Sequence, residues 1–141
     1  MKRTEFFFKI TVFFMIFTAC IFSSCGAVKN CDEIGGEFYN FIKTERFEGV
    51  TELVDSEAFK VTPEEMWIEN LEKKRHDAGQ LLNVRRIDFE TLTSDRVTRV
   101  GIWYKAVYTR AELFEKLEFI EREDGYKITF YQFDVDSLAV R

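Results

Sequence analysis

The sequence predicts an α+β fold in which helices pack on one face of a curved antiparallel sheet of about four strands. The segment after the N-terminal leader spaces its apolar residues as helices do, and the second half alternates them as strands do. Asp124-Gly125, between two strand-like runs, is a hairpin signal. The length of 141 residues fits one domain plus a separate N-terminal segment.

The N-terminal segment has the three-part layout of a secretory signal. A basic leader precedes an uncharged apolar run over residues 10–22, and two serines separate this run from Cys25. The run is shorter than the roughly 20 residues that a membrane-spanning helix needs, which makes a transmembrane anchor the weaker interpretation. We therefore expect residues 1–24 to be a signal peptide.

Residues 21–26, Ile-Phe-Ser-Ser-Cys-Gly, resemble the lipobox of bacterial lipoproteins, although Phe22 stands where that family usually has Leu. The resemblance implies a lipoprotein cleaved before Cys25, which then carries diacylglycerol and acyl chains such as palmitate. It also implies a cell-envelope location at a membrane, the outer membrane in a diderm cell because Gly26 follows the cysteine. Cleavage before Cys20, or before a Cys25 without lipid, remains an alternative.

Charge and cysteine content narrow the functional classes. The formal net charge is −5, and the leader holds more basic than acidic residues, so the remaining chain is still more negative. We therefore expect no nucleic acid as a partner, since its phosphates require a basic surface. Of the three cysteines only Cys31 lies beyond the processing site, so no disulfide framework is expected.

The helices follow a short tether, expected at residues 25–31, within a domain expected at 32–141. An apolar stripe predicts a first helix from Asp32 to Arg46, and a second short helix follows from Phe47. Thr62-Pro63-Glu64-Glu65 resembles a capping box with Thr62 as N-cap, and Gly79 predicts the end of this third helix.

Four strands are expected after Gly79. The first two are rich in β-branched and aromatic residues, and the last two flank the Asp-Gly turn. The third segment also fits a helix by its spacing, but the hairpin turn requires a strand partner. The expected strands are Leu81–Thr91, Val97–Thr109, Ala111–Glu123 and Tyr126–Val135.

Helices of this order, the third beginning Thr-Pro-Glu-Glu-Met-Trp and closing as Arg-His-Asp-Ala-Gly, followed by long strands ending in Asp-Gly-Tyr-Lys-Ile, resemble the NTF2-like or cystatin-like superfamily. More narrowly, they are similar to small bacterial lipoproteins of unknown function. The resemblance implies a conical fold with a pocket between the helices and the concave sheet face. It implies no particular reaction, because that scaffold carries many functions.

Strand alternation divides the predicted sheet into two faces. The helix-facing side chains of the second strand are expected to be Val100, Ile102, Tyr104, Ala106 and Tyr108, joined by Ile128 and Phe130 from the last strand. A ligand pocket is expected to be lined by Trp67, Tyr104, Tyr108 and Phe130. The opposite face is expected to carry Trp103, Val107, Tyr131 and Phe133, which suits a homodimer through the sheet. The alternative is that neighbouring side chains and loops cover those rings within a monomer.

Candidate chemistry is sparse. An isomerase or lyase would need a perturbed acid beside a phenol, and Asp88 with Tyr104 or Tyr108 is the available set. His76 is better explained as a cation at a helix C-terminus. The sequence carries no recognisable metal or nucleotide motif, so no cofactor and no metal are expected. We expect a non-catalytic accessory or ligand-binding domain, with the isomerase or lyase as the alternative.

Overall fold

A computed structural model of the chain describes residues 26–134. Helix α1 occupies residues 26–43. The other helices are α2, Phe47–Thr51, a 3-10 turn, Ala58–Lys60, and α3, Glu64–Ala78. The strands are β1, Leu81–Ser94, β2, Val97–Tyr108, β3, Glu112–Arg122, and β4, Gly125–Phe133.

The strands form one antiparallel sheet in the order β1-β2-β3-β4, so each strand pairs with its neighbour in sequence. Side chains from α1 and α3 meet the same face of this sheet. The α+β fold with helices on a four-stranded antiparallel sheet is confirmed, and the sheet is not closed into a barrel. The segment from Glu112 to Arg122 is a strand, as the hairpin turn required.

Helix α1 is longer at its start than predicted. Residues 26–31 are helical, and Ala27, Val28 and Cys31 are buried in the core. The expected tether at 25–31 is therefore wrong for its described part, because these residues extend the apolar stripe that continues at Phe38 and Ile42. Cys25 lies outside the described residues.

Helix α3 begins one residue later than the capping-box pattern predicts. Pro63 is the N-cap residue with an extended backbone (ψ 152), and no side-chain cap hydrogen bond forms, so Thr62 does not cap the helix. The helix ends at Ala78, as predicted, and Gly79 takes φ +88, a conformation that glycine adopts without strain.

The interior face of β2 is as predicted. Its five inward side chains are all buried: Val100, Ile102, Tyr104, Ala106 and Tyr108. Gly35 of α1 lies directly above this face, where a Cβ would stand 2.2 Å from the Tyr104 hydroxyl oxygen. The absence of a side chain at Gly35 therefore lets α1 approach the sheet closely.

An irregularity in β4 reverses the predicted faces of its second half. The pairing with β3 shifts in register between Glu118 and Phe119, which leaves Thr129 without a partner in the ladder. Ile128 is buried, but Phe130 is 45% exposed. A bulge inserts one residue and moves every later side chain to the other face, so Phe130 points away from the helices.

The outer edge of β4 is partly covered by the chain before the 3-10 turn. Val54 forms a parallel bridge with Ile128. The Ile128 amide donates to the Leu53 carbonyl at 2.9 Å, and the Asp55 amide donates to the Ile128 carbonyl at 2.8 Å. This pairing brings Asp55 to the end of the sheet that holds the β1–β2 and β3–β4 turns, which we call the turn end.

Candidate functional site

The most concentrated chemistry lies in the interior, where a lysine and a glutamate meet three tyrosines. The Lys74 ammonium is 3.2 Å from Oε1 and 3.3 Å from Oε2 of Glu115, with side-chain exposures of 2% and 0%. Tyr108 donates to Glu115 Oε1 at 2.7 Å, whereas Tyr39 and Tyr131 donate to Oε2 at 3.0 and 2.9 Å. We call these five residues the interior polar cluster.

Each member of the interior polar cluster comes from a different element. Lys74 lies two helical turns after Trp67 on the buried face of α3, and Glu115 takes an inward position on β3. Tyr39, Tyr108 and Tyr131 come from α1, β2 and β4. The cluster therefore ties both long helices to three strands.

The hydrogen-bonding groups of the cluster satisfy one another. The Lys74 ammonium has three N–H donors, and it donates to Glu115, to the Tyr108 oxygen at 2.6 Å and to the Tyr131 oxygen. Tyr108 and Tyr131 thus accept from the lysine and donate to the carboxylate. Both charges are paired and hydrogen-bonded, the condition under which ions are tolerated in an interior.

Burial sets the electrostatics of the cluster. It lowers the pKa of Lys74, and the neighbouring Glu115 carboxylate opposes that shift. Burial also raises the pKa of Tyr39, Tyr108 and Tyr131, and the Glu115 charge raises it further. The phenols therefore stay protonated and serve Glu115 as donors.

A second polar contact lies nearer the surface between α1 and the sheet. Tyr104 donates to Asp32 Oδ1 at 3.1 Å, and Arg86 donates to Asp32 Oδ2 at 3.1 Å. Burial raises the pKa of Tyr104 strongly, with Asp32 contributing further. The structure thus separates the two tyrosines predicted to share a site: Tyr108 belongs to the interior polar cluster and Tyr104 does not.

Asp88, the acid proposed for the enzymatic alternative, is not in this interior. It is exposed, its Oδ1 accepts the backbone N–H of Phe89 at 2.8 Å, and it pairs in register with Trp103. A register shift between Arg86 and Asp88 interrupts β1 there. Asp88 therefore lies across the sheet from the helices, and the predicted grouping with Tyr104 and Tyr108 is wrong.

The predicted ligand pocket is only partly assembled. Trp67 is buried at 7% exposure, as expected, and within residues 26–134 its indole Nε1–H has no hydrogen-bond partner. Phe130, by contrast, lies on the outer face of the sheet because of the bulge at Thr129. Tyr104 and Tyr108 are buried, but their hydroxyl groups serve different carboxylates.

The outer face of the sheet also differs from the prediction. Trp103 and Val107 lie there and are half-buried. Tyr131 and Phe133 instead face the helices, where both rings lie near the Lys74 ammonium. The bulge in β4 is again the reason. Exposed apolar side chains on the outer face are Leu92, Phe114 and Phe130.

Residues 26–134 line at least four surface cavities, and neither Lys74 nor Glu115 lines any of these four. The two larger of these, about 1030 and 670 Å³, lie at the end of the sheet that holds the β1–β2 and β3–β4 turns. The smallest, about 220 Å³, lies between α1 and the start of β1 and is lined in part by Tyr39. Tyr39 thus stands between that cavity and Glu115.

The turn end of the sheet has its own buried acid. Asp55 is 5% exposed and accepts two hydrogen bonds from the Arg122 guanidinium, at 2.7 and 3.0 Å. It also accepts the Glu57 backbone N–H at 3.0 Å. The hydrogen bonds from Arg122 hold the pKa of Asp55 below its usual value of 3.8.

Neither Cys31 nor His76 belongs to the interior polar cluster. Cys31 is a free thiol with no exposed surface, and burial, aided by Asp32 and Glu121, raises its pKa to about 12, so the reactive thiolate is suppressed. His76 is exposed. No cluster of metal-ligating side chains occurs among residues 26–134, and no helix within that range is long and apolar enough to cross a membrane.

Sequence reasoning missed the interior polar cluster. Lys74 lies at the seventh position after Trp67, on the stripe that also holds Leu71 and Ala78. Glu115 lies between Leu113 and Leu117 at an inward position of β3. A charged residue at a buried position on each of two facing elements was the available signal.

No protein-family model matches the chain, and a search of curated proteins finds no significant match.

Proposed function

We propose that the protein is a bacterial lipoprotein anchored in the cell envelope through Cys25, and that its folded domain binds a partner or small ligand without catalysing a reaction. In a diderm cell the membrane is the outer membrane. The support for the anchor is the leader, the short apolar run and the lipobox-like residues before Cys25. The order of helices and strands remains similar to the NTF2-like or cystatin-like type.

The saturation of the interior polar cluster is the observation that carries the non-catalytic proposal. A general base must reach the proton of a substrate. Glu115 already accepts from Lys74 and from three phenols, and it has no exposed side-chain surface. These contacts favour a role in holding α1, α3 and the sheet together.

The outer face of the sheet is the surface best suited to a partner. It presents Phe114 at 50% and Phe130 at 45% exposure around the half-buried Trp103. Exposed apolar patches usually mark interaction sites. A second copy of the chain is the partner we propose, through Trp103 and Val107 together with these two phenylalanines.

The anchor is tested by partitioning the full chain, expressed in a bacterium, between detergent and aqueous phases. We expect the parent and the matched control Cys20→Ser to enter the detergent phase with acyl label attached. Cys25→Ser should move to the aqueous phase. A Cys25→Ser variant that still partitions into detergent, while Cys20→Ser does not, would overturn the proposed site.

A small-molecule isomerase or lyase is the second candidate, and the observation that favours it is the convergence of an acid, an amine and three phenols. In that case Glu115 would be the base, reached through the cavity beside Tyr39. The test follows deuterium exchange at carbon next to a carbonyl in a panel of small ketones and acids. Exchange that Glu115→Gln abolishes, while the variant still unfolds cooperatively in urea, would favour the enzyme, and no exchange above background would favour the binding domain.

A further inference from the structure

We infer that the domain stands upright on the membrane, with α1 along the membrane normal and the turn end of the sheet against zwitterionic head groups. The turn end is the surface formed by the β1–β2 turn at Asp95–Arg96, the β3–β4 turn at Glu123–Asp124 and the loop at Asp55–Glu57. The inference rests on the proposed lipid anchor at Cys25 and adds an orientation and a contact surface to it.

The attachment has almost no slack. Residue 26 is already helical, and Ala27 and Val28 are buried in the core. Consecutive Cα atoms are about 3.8 Å apart. A lipid on Cys25 therefore holds the first turn of α1 at the membrane surface, where a flexible tether would have left the domain free to tumble.

Helix α1 starts at the turn end of the sheet. Asn30 and Glu33 line the same cavity as Glu123 and Asp124 of the β3–β4 turn. A neighbouring cavity is lined both by this β3–β4 turn and by Arg96 of the β1–β2 turn. The β1–β2 and β3–β4 turns therefore both lie on the side of the domain from which the anchor leaves.

The other end of α1 lies far from the anchor. Lys43, the last helical residue, lines a cavity with Leu81 and Leu82 at the start of β1. Residues 26–43 of α1 span roughly 25 Å at about 1.5 Å per residue. The end that holds Lys43 and the start of β1 is thus separated from the anchor by the length of the helix.

The same geometry disfavours two orientations in which the domain would lie flat on the membrane. The outer face of the sheet is on the opposite side of the sheet from α1, so a lipid joined directly to α1 cannot bring that face to the membrane. The exposed positions of α1 are glycine or polar: Gly26, Lys29, Asn30, Glu33, Gly36, Glu37, Asn40 and Lys43. A helix without apolar side chains on its free face has nothing to insert into lipid.

Charge selects the head groups. The turn end mixes Arg96, Arg122 and Lys127 with a larger number of acids: Asp55, Glu57, Asp95, Glu121, Glu123 and Asp124. An acidic excess is repelled by anionic lipid. Head groups that offer both an ammonium and a phosphate suit a surface of both signs.

The orientation is tested by fluorescence quenching on the lipidated full chain in phosphatidylcholine vesicles that carry a head-group quencher. Probes are attached at Asp124→Cys, at Lys43→Cys and at Arg85→Cys, the last an exposed position on the outer face of β1. The buried Cys31, with its raised pKa, should stay unlabelled. We expect the Asp124 probe to be quenched several-fold more than the other two.

Each outcome separates the orientation from the anchor. A chain that fails to float with vesicles refutes the anchor and the orientation together. A chain that floats but quenches equally at Lys43 or Arg85 keeps the anchor and overturns the upright orientation. A Gly/Ser linker of about 20 residues inserted after Cys25 should equalise the probes, and an unchanged difference would refute the role of the short attachment. Stronger quenching at Asp124 in phosphatidylglycerol vesicles would overturn the head-group assignment.

Discussion

Glu115 and Lys116 are neighbours on β3, yet they belong to two ion clusters that lie on opposite faces of the sheet. Glu115 points inward to Lys74, and the side chains of that pair are 0% and 2% exposed. Lys116 points outward to Glu118 at 2.6 Å and Glu90 at 3.2 Å, and its side chain is 21% exposed. Each lysine also lies near aromatic rings: Lys116 is 4.5 Å from the Trp103 ring centroid. The two faces of β3 therefore carry similar clusters of lysine, glutamate and aromatic rings, one buried and one in contact with solvent.

Burial makes each member of an ion pair more dependent on its partner. In the interior the attraction between Lys74 and Glu115 is strong, but both ions have lost their water, so each depends on the other. On the outer face Lys116 and its two carboxylates remain in contact with water, and salt screens them. We therefore expect the interior pair to control folding and the outer cluster to contribute little.

The largest expected effect comes from breaking the interior pair on one side. Lys74→Met leaves the Glu115 charge buried without its cation, which should lower the free energy of unfolding by about 3–5 kcal/mol. Urea denaturation of the purified domain measures it. Lys73→Met, the exposed neighbour on α3, is the matched control and should change the stability by less than about 0.5 kcal/mol.

The double variant Lys74→Met with Glu115→Leu sharpens this result. Removing both charges at once leaves no uncompensated ion, so we expect it to regain most of the stability lost in Lys74→Met. A double variant no more stable than Lys74→Met would contradict the cost of an unpaired charge. The stability lost would then come from the hydrogen bonds between the three phenols and the interior charges.

The fold was predictable because its signals are local. The apolar stripe of α1, the end of α3 at Gly79 and the Asp-Gly turn each depend on a few adjacent residues. Alternation along β2 also predicted its five inward side chains, because no irregularity interrupts its pairing with β3. Local periodicity thus carried both the class of the fold and one complete face.

The candidate site was less predictable because bulges and tertiary partners decide it. One unpaired residue at Thr129 moved Phe130 outward and Tyr131 inward, and the shift before Asp88 placed that acid outside the interior. Strand periodicity carries no sign of where a bulge falls. Lys74 and Glu115 are far apart in sequence, so their pairing required the packed helix and sheet.

A smaller loss is expected from removing one phenol of the interior polar cluster. Tyr39→Phe deletes the hydrogen bond to Glu115 Oε2 and keeps the ring in the core. Hydrogen bonds to charged groups contribute about 1.5–3 kcal/mol, so we expect a destabilisation in that range. Tyr126→Phe, a half-buried ring near the turn end, should change the urea midpoint less. Equal effects of the two variants would contradict a special role for the cluster.

The pair between Asp55 and Arg122 should appear as a pH dependence. Because Arg122 holds the pKa of Asp55 below 3.8, the pair stabilises the fold above that value and the contribution is lost as pH falls below it. Urea midpoints at pH 7 and pH 3 measure this loss. Asp55→Asn should lower the urea midpoint at pH 7. The difference between the midpoints of this variant at pH 7 and pH 3 should therefore be smaller than the difference for the wild-type chain. A wild-type chain and a variant with parallel pH profiles would rule out the contribution of this carboxyl.

The smallest effect is expected on the outer face of β3. Lys116→Met, Glu118→Gln and the double variant form a cycle that isolates the coupling between these two charges. Because both side chains touch water, we expect a coupling of about 0.2–1 kcal/mol, decreasing further in 1 M salt. The corresponding cycle on Lys74 and Glu115 should give a larger coupling that salt barely changes, since its side chains are only 2% and 0% exposed. If the two cycles had the same size and the same salt response, burial would not distinguish the two faces of the strand.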